Sequence, residues 1–84
     1  MNDFESYRNA AEGFRANKDY LNAIENFKLA LSLKNDDNFV LEGLGYCYFN
    51  NREYSKCIEF YEKTNYDFFD SATKHQIFYN LGVC

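Results

Sequence analysis

The side chains that could do metal or redox chemistry in this 84-residue chain are three cysteines and one histidine. Cys47, Cys57 and Cys84 form no C-x-x-C pair, and His75 is the only histidine that could join them, so the spacing does not favour a zinc site. We expect the thiols to be small buried side chains in a reducing compartment. We expect His75 to face solvent near the start of a helix, because a lone titratable residue rarely marks a site.

Other signatures of catalysis are also missing from the sequence. There is no glycine-rich phosphate loop, nucleophile elbow or cluster of metal ligands. Pairs such as Glu59 and Lys63, at i and i+4, are typical of ordinary helix-surface ion pairs. The sequence therefore predicts a protein that is not an enzyme and that needs no cofactor or metal.

The charge balance limits the classes of partner. Thirteen acidic residues against nine basic ones give a net charge of −4, which disfavours binding to nucleic acid or to an anionic membrane surface. No apolar run approaches the roughly 18 residues that span a bilayer. The start, MNDFESYRNA, is polar where a secretory signal would be apolar, so we expect a cytoplasmic protein.

The chain repeats itself. Residues 17–27 read NKDYLNAIENF and residues 51–61 read NREYSKCIEFY, with Tyr20 and Tyr54 separated by 34 positions (54 − 20). At the same shift of 34 positions, Ala11 aligns with Gly45 and Phe14 aligns with Tyr48. A match of this length in residue class predicts two copies of one structural unit.

Within each copy the apolar spacing is helical. In the first copy Tyr7, Ala11 and Phe14 share one face, and Tyr20, Ile24 and Phe27 share the next. The polar corners ANKD (16–19) and NNRE (50–53) separate the two helices of each copy. Asp19, Asp37, and either Asp70 or Ser71 are suitable N-caps for later helices. We therefore predict an all-α protein of five helices, arranged as antiparallel hairpins.

The pattern resembles the tetratricopeptide repeat (TPR), a 34-residue helical hairpin. The motif positions are Tyr7-x2-Ala10-Ala11-x2-Phe14 with Ala23-x3-Phe27, then Leu41-x2-Leu44-Gly45-x2-Tyr48 with Cys57-x3-Tyr61, and finally Phe78-x2-Leu81-Gly82. The resemblance implies a TPR-like α-solenoid in a single domain, 1–84. Repeat 1 covers about 4–37, repeat 2 about 38–71, and the first helix of a third repeat about 75–84.

The third copy begins late and stops early. Gly82 follows Gly45 by 37 positions (82 − 45), so either the fourth helix is longer or the following loop is. The fifth helix is apolar at Ile77, Phe78, Leu81, Val83 and Cys84. We expect the chain to be the N-terminal part of a longer array, and an isolated chain to self-associate through this uncapped fifth helix.

The resemblance places partner recognition on the concave face, which the first helix of each hairpin lines. The predicted partner-binding residues are Arg8, Asn9, Glu12, Phe39, Glu42, Tyr46, Phe49, Asn50, Tyr79 and Asn80; Glu5, Arg15, Gly43, Gln76 and Val83 share these faces. The carboxylate clamp of chaperone-binding relatives would fall on Arg8, Glu12, Gly43, Gln76 and Asn80. Only Arg8 keeps the required charge, which disfavours that binding mode.

The expected function is therefore recognition of a protein or peptide partner. Tyr46 and Tyr79, and less strongly Phe39 and Phe49, are the expected aromatic anchors. Two alternatives stay open: a self-assembling scaffold, and a regulatory or chaperone module attached to a further domain.

Overall fold

The computed structural model describes residues 3–84 and confirms the all-helical prediction: this span holds five α-helices, one short 3₁₀ turn and no strand. The prediction of five helices is therefore correct. Their bounds are α1 Asp3–Ala16, α2 Tyr20–Leu33, α3 Asn38–Asn50, α4 Tyr54–Glu62 and α5 Ser71–Val83, with the 3₁₀ turn at Tyr66–Phe68.

The corners that join α1 to α2 and α3 to α4 have the same backbone conformation. Each contains a single left-handed residue, Lys18 or Arg52, both with φ of 62°. The next amide donates its N–H to the carbonyl five residues back, over 2.8 Å at the first corner and 2.9 Å at the second. This is a Schellman motif, which satisfies the free carbonyls at the end of a helix. The two corners lie 34 positions apart (52 − 18), so the sequence period is also a period of local structure.

Aspartates cap three of the helices, as the sequence predicts. The carboxylates of Asp19, Asp37 and Asp70 accept N–H bonds from the first turns of α2, α3 and α5 at 3.4, 3.0 and 2.8 Å. Of the two candidates before α5, Asp70 is the cap and Ser71 is the first helical residue. Glu53, which takes the place of Asp19 before α4, makes no side-chain cap bond.

The helices pack in chain order around one apolar core. α1 packs on α2, α2 on α3 (the first junction), α3 on α4, and α4 on α5 (the second junction), while α3 also contacts α1 and α5. Two glycines of α3 allow close approach: a methyl group on Gly45 would lie 2.5 Å from the Tyr61 ring, and one on Gly43 would meet the Phe27 ring. Because both rings are fully buried, they have little freedom to give way.

Most positions predicted to pack are in the core. The buried apolar residues include Ala11, Ala23, Ile24, Phe27, Leu41, Leu44, Cys57 and Tyr61. Three positions differ from expectation. Ala10 is exposed, and Tyr54 is 41% exposed although its repeat partner Tyr20 is packed against the core. Ile77, expected on the uncovered face of the fifth helix, is fully buried.

The extra residues before α5 lengthen the loop and not the fourth helix, since α4 already ends at Glu62. Thr64 is buried, and its hydroxyl donates to the Tyr61 carbonyl at 2.6 Å. The 3₁₀ turn follows, and Phe69 inserts into the core. Helix α5 then begins at Ser71, directly after the predicted cap Asp70.

Candidate functional site

Helix α3 contacts both α1 and α5, and the side chains that these three odd-numbered helices expose are here called the odd-helix surface. All ten predicted partner-binding residues are on these helices. Five are exposed (Asn9, Glu12, Phe39, Asn50 and Tyr79), three are half-buried (Arg8, Tyr46 and Phe49), and two are buried (Glu42 and Asn80). The partner-binding role of the eight accessible residues remains a prediction.

Glu42 was predicted to face a partner, but it is only 6% exposed and binds within the protein. Both of its carboxylate oxygens accept from the Arg15 guanidinium, at 2.8 and 2.7 Å, which fixes α3 to α1. Burial opposes the charge on Arg15, but the hydrogen bond and attraction to Glu42 raise the pKa of Arg15 above its ordinary value. A bidentate pair of this kind is geometrically specific, so both side chains serve the helix packing.

A polar cluster forms around this ion pair from Glu12, Arg15, Tyr20, Glu42 and Tyr46. The Arg15 guanidinium lies 4.1 Å from the Tyr46 ring centroid, a cation–π contact. The Tyr20 ring meets Tyr46 edge-on with centroids 6.3 Å apart. Except for buried Glu42, the members of the cluster line a recess of about 320 Å³ together with Ala16 and Lys18.

Glu12 is the accessible carboxylate of the polar cluster. Its side chain is 46% exposed and lies 3.9 Å from Arg15, which is already committed to Glu42. Burial, with repulsion from Glu42, raises the pKa of Glu12, while Arg15 and Arg8 oppose the shift. The charge of Glu12 is therefore only partly compensated by its neighbours.

Asn80 also differs from the prediction, because it is fully buried on the inner side of α5. Its Nδ2 donates to the Tyr61 hydroxyl at 3.0 Å, and its Oδ1 accepts from Gln76 Nε2 at 2.8 Å. Burial raises the pKa of Tyr61, and the bond to Asn80 partly offsets that effect. The Asn80 amide thus holds α5 against α4 and is not available to a partner.

Two of the four predicted aromatic anchors, Phe39 and Tyr79, are largely exposed. Phe39 is 50% exposed and lines a second recess, of about 340 Å³, with Arg8, Asn9 and Glu12. Tyr79 is 62% exposed on α5. By contrast, Tyr46 is partly covered by Arg15, and Phe49 packs edge-on against Tyr54 at 5.9 Å between centroids. Phe39 and Tyr79 are therefore the two most exposed of the four predicted anchors.

Sequence reasoning missed a further aromatic residue in the lengthened loop. Phe68 is 50% exposed and packs edge-on against Phe39, with ring centroids 5.1 Å apart. It thus lies beside a ring that lines the second recess. The sequence has three extra residues around NYDFF, which indicated an insertion but did not show where its aromatic side chains would lie.

The histidine and the three cysteines differ in their exposure. His75 is exposed, as predicted. Cys47 and Cys57 are buried, but Cys84 is exposed, which corrects the expectation of three buried thiols. Burial raises the pKa of the Cys47 thiol to about 12. Within residues 3–84, no three metal-binding side chains gather in one place, and no helix is both long and apolar enough to span a bilayer.

Comparison with protein-family models, with curated proteins and with solved structures finds no match for this chain. The geometry itself defines an all-helical protein with two matching hairpin corners. Residues of α1 and α3 line two recesses, and the rings of Phe39 on α3 and Tyr79 on α5 are exposed.

Proposed function

We propose that this protein is a TPR-like helical array that recognises a protein or peptide partner on a concave face, formed by the odd-helix surface. The observation that carries the proposal is the exposure of Phe39 and Tyr79, at 50% and 62%, on two of the three helices of that surface. Neither ring belongs to the core. Exposed aromatic rings are typical anchors of protein interfaces, and Phe39 also lines the second recess.

The proposed mechanism is recognition by a preorganised surface in a cytoplasmic protein. The Arg15–Glu42 ion pair ties α1 to α3, and the Asn80–Tyr61 bond ties α5 to α4. A partner would then meet side chains whose positions are already fixed, which lowers the entropy cost of binding.

The chemistry of the surface disfavours the carboxylate clamp and favours a partner with mixed polarity. Gly43 is buried against Phe27, and Asn80 is fully buried, so two clamp positions cannot reach a ligand. Besides Arg15, which is paired with Glu42, the charged side chains that line the two recesses are Arg8, Glu12 and Lys18, so both signs are present. A partner segment with an apolar anchor and flanking polar groups fits this arrangement.

The test is selection of binding peptides from a displayed random library, followed by affinity measurement on variants. Phe39→Ala and Tyr79→Ala should each weaken binding by more than about 1 kcal/mol. Leu21→Ala is the matched control, because Leu21 is 67% exposed on α2, away from the odd-helix surface. The proposal would be contradicted if the affinity of the selected peptides were unchanged by Phe39→Ala and Tyr79→Ala but lost with Leu21→Ala. Circular dichroism checks that each variant is folded.

A self-assembling scaffold is the second candidate, favoured by the apolar side chains that α5 exposes. Phe78 and Val83 are 51% and 53% exposed there, although Ile77 is not. Sedimentation velocity over a range of protein concentrations tests it. A scaffold of this type should show oligomers that Phe78→Ser removes, whereas a monomer at all concentrations argues against it.

A further inference from the structure

We propose that Cys57 and Cys84 form a redox modification site, which low-molecular-weight disulfides such as glutathione disulfide convert to an intramolecular disulfide. The two Sγ atoms lie 3.6 Å apart, with the Cys84 thiol donating to Cys57. Cys57 is fully buried on α4, and Cys84 is exposed at the end of α5. One thiol of the pair is thus accessible to a reagent, and the other is in reach of the first.

The repeat register indicates that packing alone does not require this pair. Cys57 takes the place of Ala23 (57 − 23 = 34), and Cys84 takes the place of Cys47 when the three inserted residues are counted (84 − 47 = 37). The first junction is therefore built with an alanine where the second has Cys57. Both Ala23 and Cys57 are fully buried, so either residue fills the position.

The reaction has two thiol–disulfide exchange steps. The Cys84 thiolate attacks one sulfur of glutathione disulfide, forming a Cys84–glutathione mixed disulfide and releasing one glutathione thiolate. The Cys57 thiolate then attacks Cys84 Sγ, forming the Cys57–Cys84 bond and releasing the second glutathione thiolate. The two protons lost by the protein thiols go to the two glutathione thiolates. The protein loses two electrons, and glutathione disulfide gains them.

The environment of each cysteine sets the order of these steps. Cys84 reacts first because it is exposed. Burial, reinforced by the neighbouring Cys84 thiol, raises the pKa of Cys57 to about 12, so its thiolate is scarce and the closing step is the slower one. Cys47 is fully buried and should remain a thiol.

The disulfide would fasten α5 to α4. In the reduced protein α5 is held by the Asn80–Tyr61 bond and by apolar contacts that include Ile77. Because α5 also carries Tyr79, oxidation would fix one side of the odd-helix surface in place.

The first experiment treats the reduced, folded chain with glutathione disulfide and follows its intact mass. We expect loss of two hydrogens per chain, recovery of the thiols with dithiothreitol, and a Cys57–Cys84 crosslink in peptide maps. Cys57→Ala, which copies the first junction, should stop at one bound glutathione. Cys84→Ser should leave the folded protein unmodified, and Cys47→Ala should react like the parent chain.

The second experiment measures hydrogen exchange of the reduced and oxidised forms. Amide hydrogens of α5 should exchange at least about tenfold more slowly after oxidation, while the exchange rates in α1 should not change. Disulfide-linked dimers, a crosslink to Cys47, or a parent chain that stops at the mixed disulfide would each overturn the proposal.

Discussion

At the scale of single residues, the most consequential contact is the ion pair between Arg15 and Glu42. The sequence predicted both side chains on the odd-helix surface but not their pairing, because they are 27 positions apart and no local spacing connects them. The same reason hid the Asn80–Tyr61 bond, across 19 positions. In contrast, the aspartate caps follow from contacts three residues apart and could be predicted.

The first prediction compares this pair with an exposed one. Glu42→Gln should lower the free energy of unfolding by about 2–3 kcal/mol, because it leaves the mostly buried Arg15 charge without its carboxylate. Glu59→Gln is the control, since Glu59 and Lys63 form an exposed pair 3.6 Å apart. It should change stability by less than about 0.5 kcal/mol.

Urea unfolding of both variants checks this prediction. Equal, small losses would mean that the Arg15–Glu42 contact is a loose surface pair. A large loss in Glu42→Gln alone supports its role in joining α1 to α3.

At the scale of secondary-structure elements, the hairpin corners show what local sequence can and cannot specify. The polar runs ANKD and NNRE marked the corners correctly. The left-handed residue within each run was not predicted, because lysine and arginine carry no preference for positive φ. The position of the three extra residues before α5 was ambiguous for a related reason, because an insertion can lengthen either a helix or a loop. The end of α4 at Glu62 shows that the loop is longer, and Thr64 and Phe69 are buried within it.

The second prediction concerns these corners. Lys18→Gly and Arg52→Gly should each raise the free energy of unfolding by about 0.5–1 kcal/mol, because glycine adopts positive φ without a clash of its own Cβ. The two gains should be similar, since the corners share one hydrogen-bond pattern.

Lys28→Gly provides the control for this pair of changes. Lys28 is an exposed residue inside α2, where glycine should cost about 1 kcal/mol. Urea midpoints of the three variants give the comparison. A loss of stability at either corner would show that its left-handed conformation is not under strain.

At the scale of the whole molecule, the question is whether the two junctions are built alike. Periodicity predicted the number of helices and their hairpin order, because each helix buries one regular apolar face. The packing of one hairpin on the next depends on contacts such as Gly43 with Phe27. The sequence shows that residue 43 is small but not which side chain packs against it. The residues of the odd-helix surface were likewise predicted from the helix faces, and this did not reveal that Glu42 and Asn80 are buried.

The third prediction tests the equivalence directly. If the first junction copies the second, Ala23→Cys should place a thiol beside Cys47, as Cys57 lies beside Cys84. Because positions 23 and 47 are both fully buried, the unfolded chain, in a background of Cys57→Ala and Cys84→Ser, is refolded in the presence of glutathione disulfide and should then form one intramolecular disulfide. Peptide mapping under non-reducing conditions detects it.

Ala30→Cys is the matched control, because Ala30 is a fully buried alanine two turns further along α2. It should leave both thiols free. Crosslinking in both variants, or in neither while both remain folded, would indicate that the junctions differ.

The exposure of Tyr79 also makes the protein suitable for optical study. The chain contains no tryptophan, so Tyr79→Trp would introduce a single indole against a background of tyrosine. At a position 62% open to water, its emission should be red-shifted in the free protein. A blue shift on titration would signal dehydration of that ring, so arrival of a ligand at α5 could be followed by fluorescence without attaching a dye.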